Sequence, residues 1–240
     1  MSETLSIIVG DNDRVSPEAA LHVEVIADLV CPFCYIGKRR FDDALKAVQG
    51  PRQVSWYPYQ LNPDIPAAGL PFDVYLTMRF GSPANVDPVL EYLNRKGEEL
   101  GIKFRFDKIR HVPNTLVVHQ LMQLAETLGK NQSAIAEDLL SAFFEQGRNI
   151  GDKAVLADIA EAHGISAREV QRAVDSEQIK QLVLTREAQV RSSGLAGVPG
   201  FLINRRLLVA GAQETEIIVN AFDRAMFGWG TDGLPSPVLH

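Results

Sequence analysis

The spacing of apolar and polar positions changes twice along the chain and divides it into three stretches. Residues 22–30, HVEVIADLV, run through Val, Ile and Leu with polar Glu24 and Asp28 at intervals, the composition of a largely buried strand. A helix-compatible segment follows over 33–48, with Tyr35, Phe41, Leu45 and Val48 at loosely helical spacing, and Gly50-Pro51 stops it. Residues 54–61, VSWYPYQL, are rich in aromatic and β-branched types and read as a second strand. Parallel pairing is the default geometry for such a strand–helix–strand unit.

Beyond the proline-bearing connection 62–71 the period becomes helical. Helices are predicted over 87–100, 114–128, 133–146, 152–163, 166–175 and 178–192. In the second of these Val117, Leu121, Leu124 and Leu128 share a face, with Asn114 as N-cap and Gly129 as stop. Ser166 and Glu169 stand at capping-box spacing. IKFRF, 102–106, reads as a small strand. Strand texture returns in GVPGFLIN (197–204) and LLVAG (207–211), a hairpin turning at Asn204-Arg205-Arg206, before a last helix over 214–227. The first and last stretches together make one four-stranded α/β layer, and the helical block is an insertion that leaves and rejoins it. The expected division is a discontinuous core of 18–63 and 183–228, a helical insertion of 64–182, and loose tails at 1–17 and 229–240.

Bulk properties narrow the class. The 240 residues are 46% hydrophobic and 22% charged, ordinary for a globular protein. Twenty-four basic against 30 acidic residues give a net charge of −6. The longest basic run, Lys38-Arg39-Arg40, reads as a solvated helix face, so neither a nucleic-acid footprint nor a membrane surface is expected. No stretch approaches the length of a membrane span. The opening MSETLSIIVG lacks a basic region and its apolar run is too short for a secretory signal, so a cytoplasmic protein is expected. Monomer and homodimer both stay open.

The candidate chemistry lies in the cysteines. There are only two, Cys31 and Cys34, and none of the five histidines stands at ligand spacing beside them. Neither a disulfide-stapled fold nor a four-ligand structural zinc site suits that count, and no metal or cofactor is expected. Residues three apart share a helix face, close enough for a disulfide. Pro32 sits where a first helical turn tolerates proline, which puts Cys31 at the N-cap. Unpaired backbone amides and the positive end of the helix dipole stabilise a thiolate there. Cys34, one turn in and less exposed, suits a resolving thiol. The bland alternative is two inert, packed thiols. Far along the chain, Val198-Pro199 opens a strand where proline is hard to fit. A cis bond would present the Val198 backbone to an extended substrate beside the cysteines; an ordinary trans loop is the alternative.

With these residues in place, the chain resembles the DsbA family of thioredoxin-fold proteins. The segments CPFCYIGKRR, LLSAFFEQGRNIGD and GVPGFLINRRLLVAGAQ resemble its FrnE-like branch, over about residues 21–227. The resemblance implies a thioredoxin-like α/β fold with a large all-helical insertion, Cys31 as nucleophile, Cys34 as resolving thiol and Pro199 as a cis-proline beside them. It implies disulfide oxidoreductase or isomerase activity on thiol- or disulfide-bearing proteins, with glutathione as a further partner. The fold is shared with 2-hydroxychromene-2-carboxylate isomerases and kappa-class glutathione transferases, so a small-molecule enzyme is the alternative; those relatives carry serine at the catalytic position. Where the strongly oxidising DsbA proteins have histidine and FrnE-like members tryptophan, this chain has Phe33. Phenylalanine cannot support a thiolate, so a reduction potential short of the oxidising extreme is expected, between about −270 and −120 mV.

Other residues carry more than one reading each. Asp28 is a proton relay to Cys34, a polar strand-end residue or a helix-capping partner. Pro32 and Phe33 border the substrate, and Phe33 with Tyr35 forms either an apolar platform or core. Asn114 and His119 are either pocket residues or a cap and a packed histidine. GWGTDG at 228–233 spells GxGxxG but follows a helix, which argues against dinucleotide binding.

Overall fold

The computed structural model describes residues 21–227; the expected tails and the GWGTDG string lie outside the described residues. The chain opens with β1 (Leu21–Ala27), α1 (Pro32–Leu45) and β2 (Arg52–Pro58). The middle holds β3 (Leu70–Pro71), α2 (Phe72–Phe80), α3 (Pro83–Glu99), β4 (His111–Val112), α4 (Leu116–Thr127), α5 (Gln132–Phe144), α6 (Lys153–Ala162), α7 (Ala167–Val174) and α8 (Glu177–Ser192). The chain then returns through β5 (Gly200–Ile203) and β6 (Leu207–Ala210) to α9 (Thr215–Phe227).

The main sheet has the order β2-β1-β5-β6, with β1 parallel to β2 and antiparallel to β5. This is the thioredoxin-like α/β fold with a large helical insertion. Every residue of β1 is buried because the sheet is covered on both faces. Val23 and Val25, opposite Ile203 and Phe201, join the core under α1 and α9. There Phe41 stacks on Phe201 at 5.1 Å and meets Phe222 edge-on at 6.0 Å. Ile26 faces the other way, into a smaller cluster with Tyr57, Leu202 and Val190 of α8. Asn204 and Arg205 both take positive φ, as a tight hairpin with the twist of its strands requires.

Several expectations need correction. β1 ends at Ala27, so Asp28 to Val30 form a turn, and Asp28 does not lie on the strand. IKFRF is not a strand; the chain there runs irregularly into a short 3-10 turn, and the two-residue β3–β4 ladder forms instead. α2 goes beyond the predicted helices. The Lys38-Arg39-Arg40 run is not a solvated face. Lys38 is buried, 2.6 Å from Asp42 and 2.8 Å from Glu137 of α5. Arg40 is buried on the opposite side, 2.5 Å from Glu214 and donating to the Ala212 carbonyl. α1 is wedged between α5 and the β6–α9 segment, so its cations must be paired to be covered.

The Ser166/Glu169 capping box is formed, and Asn131 and Asp152 cap α5 and α6. Asn114 is one residue outside the α4 N-cap, which is Thr115. Its side chain nevertheless accepts from Leu116 N at 3.0 Å and donates to the Ile65 carbonyl at 2.8 Å, fastening the insertion's first loop.

Candidate active site

Cys31 occupies the N-cap of α1 in extended conformation, φ −96° and ψ 115°, with Pro32 as the first helical residue. Its carbonyl takes the first helical bonds, from Cys34 N at 3.0 Å and Tyr35 N at 3.3 Å. Among the described residues no side chain caps this helix start, which leaves its first amides without a side-chain partner. Both cysteines are free thiols, 3% and 2% exposed, so the anticipated difference in exposure is small. They differ in what they face. Cys31 borders an open pocket of about 310 Å³, and Cys34 does not. Burial pushes the Cys34 thiol well above its ordinary value; its hydrogen bond to Cys31 and the charges of Cys31 and Asp28 add to this, while a hydrogen bond with the Asp28 backbone pulls the other way.

The distant loop comes up against Cys31. The Val198–Pro199 bond is cis, and the Val198 carbonyl lies 4.0 Å from Cys31 Sγ. Pro199 packs directly on α1 at Gly37, where a Cβ would come within 2.7 Å of its ring. Only glycine at that position lets the proline reach the helix.

The pocket beside Cys31 is walled by Phe33, Tyr59, Leu61, Phe106 and Val198, and by Phe72, Tyr75 and Leu76 of α2. Phe33, 39% exposed, leans toward Tyr92 of α3 with ring centres 6.5 Å apart. Tyr35 is instead core, not platform. Its hydroxyl lies 3.0 Å from Glu137 Oε1 and 2.9 Å from Glu145 Oε1, tying α1 to the insertion. The α2 wall went unseen in the sequence, although Phe72, Leu76 and Phe80 carry helical spacing. What no spacing conveys is that α2 folds over a cysteine more than thirty residues away.

Asp28 is 1% exposed behind the cysteines. Its Oδ2 accepts from Leu61 N at 2.8 Å, and its Oδ1 is 3.6 Å from His119 Nε2. His119, on α4, is 3% exposed and lies outside the large pocket. Asn114 is a structural clamp. Among the described residues no cluster of His, Cys, Asp or Glu fits a metal ion, and no helix is long and apolar enough to cross a membrane.

Residues 22–223 match the DSBA-like thioredoxin domain. The uncharacterized protein YwbO of Bacillus subtilis (strain 168) is 26% identical over 200 residues, 80% of this chain and 91% of that protein. Among solved structures, a probable DsbA oxidoreductase from Streptomyces coelicolor superposes with a TM-score of 0.78 at 27% identity, covering 91% of this chain and 94% of that one. The cytosolic disulfide reductase DsbM from Pseudomonas aeruginosa, solved with GSH, has a TM-score of 0.58 at 19% identity and covers 85% and 95%. That likeness is one of fold.

Proposed function

The chain belongs to the DSBA-like thioredoxin-domain family of thiol–disulfide oxidoreductases, and on that premise we propose that it exchanges disulfides with protein thiols in the cytoplasm through Cys31 and Cys34, as a FrnE-like member. One observation carries this reading: Cys31 Sγ sits at an uncapped helix start, on the pocket wall and 4.0 Å from the Val198 carbonyl, with the second thiol directly behind it.

Cys31 is the sulfur on the pocket wall, so it is the one a substrate disulfide meets first. A substrate segment laid along Val198 pairs with its backbone as an added strand, which brings a substrate disulfide onto Cys31. Attack forms a Cys31–substrate disulfide and releases one substrate thiolate. Cys34, kept protonated by burial, then loses its proton to Asp28. It attacks Cys31 Sγ, breaks the mixed disulfide and releases the second substrate sulfur; two electrons pass to the substrate and the pair is oxidised. Run backward, the same steps oxidise a dithiol. Pro32 and Phe33 border the substrate at the pocket rim. Glutathione is the candidate reductant for the pair.

The pocket supports a second reading. Its volume of about 310 Å³ and mostly apolar walls suit a small molecule as well as a peptide side chain.

Insulin reduction driven by dithiothreitol separates the readings. The wild type is expected to catalyse it, while Cys31→Ser and Cys34→Ser do not. Cys34→Ser is expected to accumulate mixed disulfides with client proteins. Equal behaviour of all three proteins would remove the protein-thiol reading and leave the small-molecule one.

A further inference from the structure

The assigned chemistry leaves one buried group idle. Resolution by Cys34 needs its proton taken away inside a water-poor site, and Asp28 alone is a poor final holder. A neutral Asp28 would weaken the charge-assisted bond it accepts from Leu61 N at 2.8 Å. On the other side of the carboxylate stands His119. Asp28 Oδ1 and His119 Nε2 are both buried, 3.6 Å apart, and neither has a hydrogen-bond partner among the described residues. That gap lies just beyond a hydrogen bond. Two facing, unsatisfied polar atoms of complementary type are costly to bury unless something is gained by it.

We propose that His119 is the proton acceptor behind Asp28, a positioning residue that the helical insertion contributes to the resolving step; this rests on the redox reading above. The Cys34 S–H bond breaks, its proton crosses Asp28 and the N–H bond forms at His119 Nε2. Asp28 ends as it began, a carboxylate, now facing an imidazolium across the 3.6 Å gap. The electron pair stays on Cys34 sulfur, which attacks Cys31. The imidazolium facing the Asp28 carboxylate supplies an opposite charge that offsets part of the cost of forming a second buried anion, the Cys34 thiolate, beside it. When the pair is reduced again, the proton returns by the same path.

The surroundings leave His119 as the group placed to do this. Titratable groups near the pair include Cys31 and Cys34 at the start of α1, Tyr75 of α2, Tyr57 of β2 and, over the Tyr57 ring, Arg186 of α8 with its ion-pair partner Glu126. Beside the histidine is a cavity of about 10 Å³, lined also by Trp56, Tyr57, Met122 and Gln123. That is room for about one water to relay the proton onward.

Stopped-flow reaction of the reduced protein with 5,5′-dithiobis(2-nitrobenzoate) reads the two steps separately. Cys31 attack releases the first chromophore and Cys34 resolution the second. His119→Gln is expected to leave the first phase unchanged and slow the second about tenfold. In wild type the second phase is expected to rise with pH between about 5 and 9, and in His119→Gln that rise is expected to flatten. In an Asp28→Asn background, His119→Gln should change nothing further. A second-phase pH profile superimposable on wild type would overturn the proposal. So would equal slowing of both phases, or a full additional loss in the Asp28→Asn background. Should the variant not fold, the wild type decides: the His119 imidazole nitrogen shifts must titrate differently in the reduced and oxidised protein, and identical titrations refute the coupling. A wild type that releases only one chromophore sinks the redox reading, and the proposal with it; that result differs from every outcome specific to His119.

Discussion

At the residue scale the chain places two sulfurs in different surroundings within one helical turn. Cys31 faces the pocket and the helix start; Cys34 faces the interior, and burial drives its thiol upward. Between them stands Phe33, whose ring turns outward toward Tyr92 and offers the Cys31 sulfur no hydrogen bond. Replacing it with a donor should stabilise the thiolate and hence the reduced form. Phe33→His is therefore expected to raise the reduction potential by tens of millivolts, where about 30 mV corresponds to roughly 1.4 kcal/mol. Equilibration with glutathione buffers measures it. An unchanged potential would show that the residue at position 33 does not tune this pair.

At the element scale, α1 is gripped from two sides. Tyr35 and Lys38 hold it to α5, and Arg40 holds it to Glu214 and the Ala212 carbonyl. Tyr35→Phe removes one hydroxyl from the first grip and leaves Glu137 and Glu145 to rehydrate. A loss of about 1 kcal/mol is expected, read as a lower urea midpoint at unchanged slope. An identical midpoint would mean the bridge contributes nothing. The same helix shows what could be read beforehand. Cys31 at the N-cap, Pro32 inside the first turn and a proline-led strand at Pro199 are local patterns, and each lies where the sequence put it. The burial of Lys38 and Arg40 was not legible, because it depends on α5 and α9, which only folding brings to α1. Asp28 could be singled out, yet its partner could not: His119 stands ninety-one positions along the chain, on a helix whose apolar spacing pointed to the face of Val117, Leu121, Leu124 and Leu128, whereas the structure buries Val118, His119, Gln120 and Met122 and leaves Leu128 exposed.

At the scale of the whole molecule, the core stores a thiol that cannot ionise freely, and stability should register this. Cys34 is held above its ordinary value in the folded state, so as pH rises past about 9 the unfolded chain releases a proton that the native protein retains. The unfolded state gains from that release. The reduced protein is expected to lose stability through this range, whereas the oxidised protein, which has no thiol at position 34 to titrate, should lose less. Urea midpoints of both forms between about pH 7.5 and 10 test this, and parallel declines would contradict it. The buried Tyr35 hydroxyl, also raised chiefly by burial, acts with the same sign in both forms at higher pH.

The central position of β1, between β2 and β5, has a consequence during synthesis. β1 cannot acquire both neighbours until residues 200–203 have left the ribosome, long after the cysteines themselves. At translation rates of about 5–20 residues per second, that interval is on the order of ten to thirty seconds. Throughout it the nascent chain carries two thiols whose Val198–Pro199 cover does not yet exist, and they react as any cysteine on a tethered polypeptide would.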